Sequence, residues 1–197
     1  LAERAALLAK CDLVTEMVGE FPELQGIMGR YYAQLDGEHA DVAEALDEQY
    51  RPRFAGDDLP QTATGIAVSL AEKLDTIVGL FGIGQPPSGV KDPFALRRAA
   101  LGVLRIIIEN QLSLDLSRLV TEAANNFVDI LTEDEVTTQV MQYFYDRLRG
   151  YVIDQGAKAD EYESVLAVSP TQPLDFMQRL NAVAEFRKLE QAESLAA

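Results

Sequence analysis

Apolar residues recur three and four positions apart along almost the whole of this 197-residue chain, and no convincing stretch alternates them every second residue. A repeat near 3.6 gathers such residues on one helical stripe, whereas a half-buried strand needs a repeat of two. The chain is therefore expected to be all-α. Leu7, Cys11, Val14 and Val18 follow one stripe. A second helix is predicted from Pro22, whose missing N–H costs nothing in a first turn. It should bury Leu24, Ile27, Met28, Tyr31 and Leu35 and stop at Asp36-Gly37. A third carries Val42, Ala45, Leu46 and Tyr50 and ends at Pro52. The Gly-, Pro- and Asp-rich run 55–65 reads as a loop. A fourth helix should face Ile66, Leu70, Leu74, Ile77, Val78 and Phe81 inward.

The segment GIGQPPSGV, 82–90, is the clearest linker, because two adjacent prolines cannot continue a helix. Asp92 is predicted to cap the next helix, with Pro93 at its first position and Phe94, Leu101, Leu104 and Ile108 on its stripe. Thr132 and Glu135 form a capping box ahead of Val136, Val140, Phe144 and Leu148. Two further helices are predicted over 160–168 and 173–189. Two helical domains result, 1–88 and 89–197.

Charge and composition narrow the function. A net charge of -15 argues against nucleic acid as a bulk property, although a local basic patch suffices for phosphate contact. One cysteine excludes a disulfide framework and suits a reducing setting. Its spacing marks Cys11 as a buried small hydrophobe. No run approaches the ~18 apolar residues of a membrane span, and no signal peptide is visible. Leu1 is not an initiator, so the sequence reads as part of something longer. No phosphate-binding glycine loop is present, since GLFGIG precedes the proline linker and not a helix. His39, at the start of a helix, reads as solvent-facing.

Three blocks, KCDLVTEMVGEFPELQGIMGRYY (10–32), LAEKLDTIVGLFGIG (70–84) and KDPFALRRAALGVLRI (91–106), resemble the β-subunit family of the bacterial heterotetrameric glycyl-tRNA synthetases in order and spacing. The resemblance implies that a separate α subunit carries the aminoacylation chemistry with ATP and Mg. The β subunit then supplies tRNA(Gly) recognition in a cytoplasmic α2β2 enzyme, with no membrane association and no cofactor in this segment. It also implies a first domain similar to an HD domain, a helical fold that holds metal with a His, a His-Asp dyad and a distant Asp. The second domain is expected to lead into, or belong to, an anticodon-binding-like helical region. Ala9 and Lys10 stand where the dyad would be and Glu72 where the last ligand would be. A lysine there would repel a metal, and the sequence holds one histidine where the dyad and first ligand need two.

Basic residues are the candidates for tRNA contact. Arg30 lies opposite the predicted stripe and should be exposed; Arg51 and Arg53 flank Pro52 and should point outward. Lys91 sits at the linker exit. Arg98 and Arg105 flank Gly102, which should leave a shallow surface, and Arg105 has Glu109 four residues on as an ion-pair partner. Arg97 is expected to pair with an acidic residue of the first domain. Tyr31, Tyr50, Tyr143 and Tyr151 could stack on bases, but Tyr31 and Tyr50 fall on faces predicted to be buried. Three functions follow: a non-catalytic tRNA-contacting part of a ligase, a scaffold or α-docking segment, and a surviving HD phosphohydrolase.

Overall fold

The computed structural model describes residues 1–127 and 135–189. These residues form ten α-helices and no β-strand; a single antiparallel bridge joins Ser88 and Lys91. The chain divides into two compact units, Leu1–Thr76 and Ile77–Ala197. The division falls inside a helix, upstream of the 82–90 linker.

The first unit opens with α1 (Ala2–Leu8), which stops because Lys10 takes a left-handed conformation, φ 65°. A 3-10 turn over Cys11–Val14 follows, and the Thr15 hydroxyl caps α2 (Glu16–Glu20) by accepting from the Val18 N–H. This break defeats the stripe read from the sequence: Val18 is buried, but Leu7 and Val14 are 71% and 90% exposed. Cys11 is exposed as well. A 3.6-residue repeat has no meaning once the helix it presumes is interrupted.

A second 3-10 turn, Pro22–Leu24, leads to Gly26 at φ 81° and then to α3 (Ile27–Leu35). The predicted face of this helix is also wrong. Tyr31 and Leu35 are exposed, and Gly29 and Ala33 are buried. Asp12 explains the choice. Its buried carboxylate accepts the Gly26 N–H at 2.6 Å, and a Cβ on Gly29 would stand 3.3 Å from it. A Cβ on Gly26 would meet the Tyr50 ring at 2.6 Å. Small residues are thus required where α3 meets the Cys11–Val14 turn, at Gly29, and where it starts beside the end of α4 (Ala40–Glu48), at Gly26. Ala5, Val42, Ala45 and Val68 form one core cluster, and Ala33, Ala43 and Leu46 another; Leu8 packs on both. His39 caps α4, its Nδ1 accepting the Asp41 N–H at 3.1 Å.

Helix α5 (Ala63–Gly82) buries Leu70, Leu74, Ile77, Val78 and Phe81 as its spacing predicted, whereas Ile66 in its first turn is only half-buried. In the second unit, the Phe81 ring lies 5.1 Å from that of Tyr143 on α8 (Val136–Asp154). Helix α6 (Leu96–Glu109) begins later than Pro93, yet Asp92 still caps it, accepting from the Leu96 and Arg97 N–H groups at 2.8 and 3.0 Å. The shift rotates the buried face to Leu96, Ala100, Val103, Leu104 and Ile107, leaving Phe94 exposed and Gly102 buried.

Helix α7 (Leu116–Asn125) was not foreseen, although Asp115 before an apolar stripe is its N-terminal signature. The Asp115 carboxylate caps the Arg118 N–H and takes the Thr171 hydroxyl at 2.7 Å. Helix α8 buries Val136, Val140, Phe144, Leu148 and Val152 in one row, each worth about 1.5–3 kcal/mol of burial. Glu135, predicted as the inner half of a capping box, stands instead at the N-cap of α8 without a side-chain cap bond, and Thr132 lies outside the described residues. Helices α9 (Ala159–Leu166) and α10 (Pro173–Phe186) close the unit. They join through the Tyr162 and Phe176 rings, 5.1 Å apart, and the Tyr162 hydroxyl donates to the Tyr145 carbonyl at 2.7 Å.

Candidate nucleic-acid interface

The last turn of α4 carries two adjacent buried carboxylates, Asp47 and Glu48, each only 2% exposed. A buried charge must be matched by partners, because desolvation otherwise costs several kcal/mol. Glu48 is satisfied by the start of α5: it accepts the Gln61 N–H at 2.6 Å, the Thr62 N–H at 3.1 Å and the Thr62 hydroxyl at 2.5 Å.

Asp47 is matched by arginines. Arg51 Nη2 and Arg53 Nη2 each stand 2.5 Å from one of its oxygens. Arg30 Nη1 lies 3.9 Å away and 3.3 Å from Glu44. Three of the five arginine and lysine residues expected to meet tRNA are therefore brought together around one carboxylate. The side chains of Arg30, Arg51 and Arg53 keep 25%, 21% and 34% of their surface. Arg30 is less exposed than its place opposite the predicted stripe implied, because α3 turns that flank toward α4. Arg51 and Arg53 use Nη2 on Asp47, so Nε and Nη1 of each remain for other acceptors.

The loop bearing these two arginines is tied from below. Lys73 on α5, 8% exposed, donates its ammonium to the Arg51 carbonyl at 2.9 Å, the Gln49 carbonyl at 3.2 Å and the Ser69 hydroxyl at 2.7 Å. Ser69 Oγ in turn donates to the Arg51 carbonyl at 2.8 Å. Burial pushes the Lys73 ammonium down to about 8; Glu72 opposes the fall and Arg53 adds to it. The Arg53 N–H donates to Asp57 at 2.6 Å.

Lys91 and Arg98 belong to the second unit, both exposed. Arg97 does not make the expected ion pair: its guanidinium donates to the Gly89 carbonyl, because the late start of α6 brings it over the 88–91 turn. Arg105 pairs with Glu109 at 2.7 Å as its spacing foretold. Tyr31 is exposed and 5.3 Å from the Arg30 guanidinium, whereas Tyr50 is half-buried against Gly26. Sequence reasoning missed Asp47, Glu44 and Lys73. The i,i+4 pair Asp47–Arg51 was the one local signal for the cluster.

Lys10 and Glu72 are also brought together. The Lys10 ammonium lies 2.7 Å from Glu72 Oε1, beside Ala9. Burial raises the pKa of nearby Asp75, with Glu72 adding to the rise and Lys10 opposing it. The ammonium occupies the carboxylate that a metal would need, so these residues do not fit a divalent cation. Among the described residues no group of three or more His, Cys, Asp and Glu could hold one.

Residues 1–167 match the family model described as glycyl-tRNA synthetase beta subunit. Proteins named glycine–tRNA ligase beta subunit are similar along the whole chain: 61% identical in Marinobacter nauticus, 59% in Ectopseudomonas mendocina and 54% in Acinetobacter baumannii. The chain spans 28–29% of the length of these relatives. With the matching model covering most of the sequence, the chain belongs to the glycyl-tRNA synthetase beta subunit family.

Proposed function

We propose that this part of a glycyl-tRNA synthetase β subunit contacts the phosphate backbone of tRNA(Gly) and carries no catalytic group of its own. It would support ATP-dependent attachment of glycine by a cytoplasmic α2β2 complex, with ATP, Mg and adenylate chemistry on the α subunit. The observation that carries the reading is the Arg30–Arg51–Arg53 convergence. Three guanidinium groups outnumber the two carboxylates they meet, in a chain whose net charge is -15. Lys91 and Arg98 are further candidate contacts. An HD-like origin for the first unit is supported by the meeting of Lys10 and Glu72, since such a fold brings those two segments together. The anticodon-binding-like assignment of the second unit rests on the resemblance alone.

The test uses the complete α/β enzyme. Removing all three arginines would strand the buried Asp47, so they are replaced singly, beginning with Arg53→Gln. Removing one phosphate partner should flatten the plot of log affinity against log salt by about 0.7–0.9. Adenylate formation should be unaffected. Unchanged affinity and slope for single replacements at Arg30, Arg51, Arg53, Lys91 and Arg98 would defeat the reading.

A scaffold or α-docking role is the second reading. Leu7, Val14 and Leu35, at 71%, 90% and 82% exposed, are large apolar side chains that a docked partner would cover. In that case the arginine replacements leave tRNA binding intact.

A further inference from the structure

We infer that Asp47 is a positioning residue: it orders Arg51 and Arg53 into a fixed two-guanidinium clamp for a single phosphodiester group. This rests on the tRNA-contact reading and deepens it.

A carboxylate near a phosphate site is ordinarily a liability, because it repels the anion and competes for its cations. Asp47 is placed so that the liability is small. Its side chain is 3% exposed, and both oxygens are engaged from the side on which the arginines stand. Each oxygen takes one Nη2, so two long side chains that would otherwise sample many rotamers share one anchor. A free arginine side chain loses rotamer entropy when it binds a ligand, and part of that loss is met beforehand when the fork is held in place. Arg53 is fixed further, with its Nη2 3.5 Å from the Gln25 carbonyl and its own N–H on Asp57. Arg51 is fixed at its carbonyl by Lys73 and Ser69. Nε and Nη1 of both residues remain for a ligand. Two preset forks can each give parallel N–H···O bonds to the two non-bridging oxygens of a phosphodiester.

Positioning and competition give opposite signs in one experiment. With Asp47→Asn in the complete α/β enzyme, a competing anion is removed, so simple charge counting predicts tighter tRNA binding. Positioning predicts weaker binding, by about three- to tenfold, and a salt slope reduced by no more than about 0.7–0.9, the share of the one phosphate no longer held. A second variant keeps both charges and is spared the loss of the buried carboxylate: Arg51→Lys with Arg53→Lys. Positioning predicts a similar weakening here, because ammonium groups cannot reproduce the fork. Tighter or unchanged binding in these variants, with Arg53→Gln still weakening it, overturns the role of Asp47. If Arg53→Gln and the other single replacements are themselves silent, the tRNA reading fails and this inference with it.

Discussion

Gly65 lies directly against Glu48: a Cβ added to Gly65 would stand 2.0 Å from Glu48 Oε2 and 2.7 Å from its Cβ. The glycine is a matter of space, since the carboxylate passes over the first turn of α5 to reach Gln61 and Thr62. Gly65→Ala should therefore destabilise the chain even though alanine is the better helix former. Displacing the carboxylate sacrifices a cap worth about 1 kcal/mol, and overpacking adds about 1–3 kcal/mol. Gly150, on α8 with nothing within 4 Å, is the control. Its replacement by alanine should stabilise by about 0.5–1 kcal/mol. Urea unfolding of both variants checks the pair, and a neutral Gly65→Ala would show that Glu48 can yield.

Lys73 should give the chain an unusual rise in stability above pH 8. Its folded pKa is depressed to about 8, while an unfolded lysine titrates near 10.4. Below pH 8 the side chain is charged in both states, and the folded state bears the full cost of burying it. From pH 8 upward the folded chain releases a proton that the unfolded chain keeps, so unfolding becomes harder. Between pH 8 and 9.5 the wild type should gain about 1–2 kcal/mol relative to Lys73→Met. Tyrosines that titrate higher cancel in this difference. A difference independent of pH would mean that Lys73 remains fully charged where it lies.

Cys11 should react with a thiol-specific disulfide reagent in the native chain without denaturant. Its thiol is exposed and the sequence has no other cysteine, so the stoichiometry is one. Protection by a factor on the order of a thousand relative to the urea-unfolded chain would mean that reaction waits on an opening of the structure, contrary to the placement of the 3-10 turn.

Long uninterrupted helices were the legible part of this sequence. Leu70, Leu74, Ile77, Val78 and Phe81 on α5, and Val136, Val140, Phe144 and Leu148 on α8, lie where the 3.6-residue repeat puts them. The repeat failed wherever the chain resets its phase. Lys10 turns left-handed between Leu7 and Cys11, and Gly26 does so between Leu24 and Ile27. Either event rotates everything downstream to a new face. The convergence on Asp47 was illegible for another reason. Arg30 is 17 residues away in sequence, so its approach depends on α3 packing against α4 through Ala33 and Ala43, a contact between small residues that carries little hydrophobic signal.

The adjacency of Asp47 and Glu48 also constrains how this segment can change in length. One side chain serves the arginines and its immediate neighbour serves the start of α5, with a single peptide unit between them. Adding or deleting one residue within α4 would turn both carboxylates by about 100° at once. An insertion would put Asp47 where Glu48 stood, with a shorter side chain, and a deletion would put Glu48 where Asp47 stood, so in either case one of the two sets of partners faces the wrong carboxylate and the other faces none. Substitutions around this turn can be absorbed one partner at a time, but an insertion cannot, so indels should be tolerated at the exposed Ala55-Gly56 turn and rejected between Val42 and Glu48.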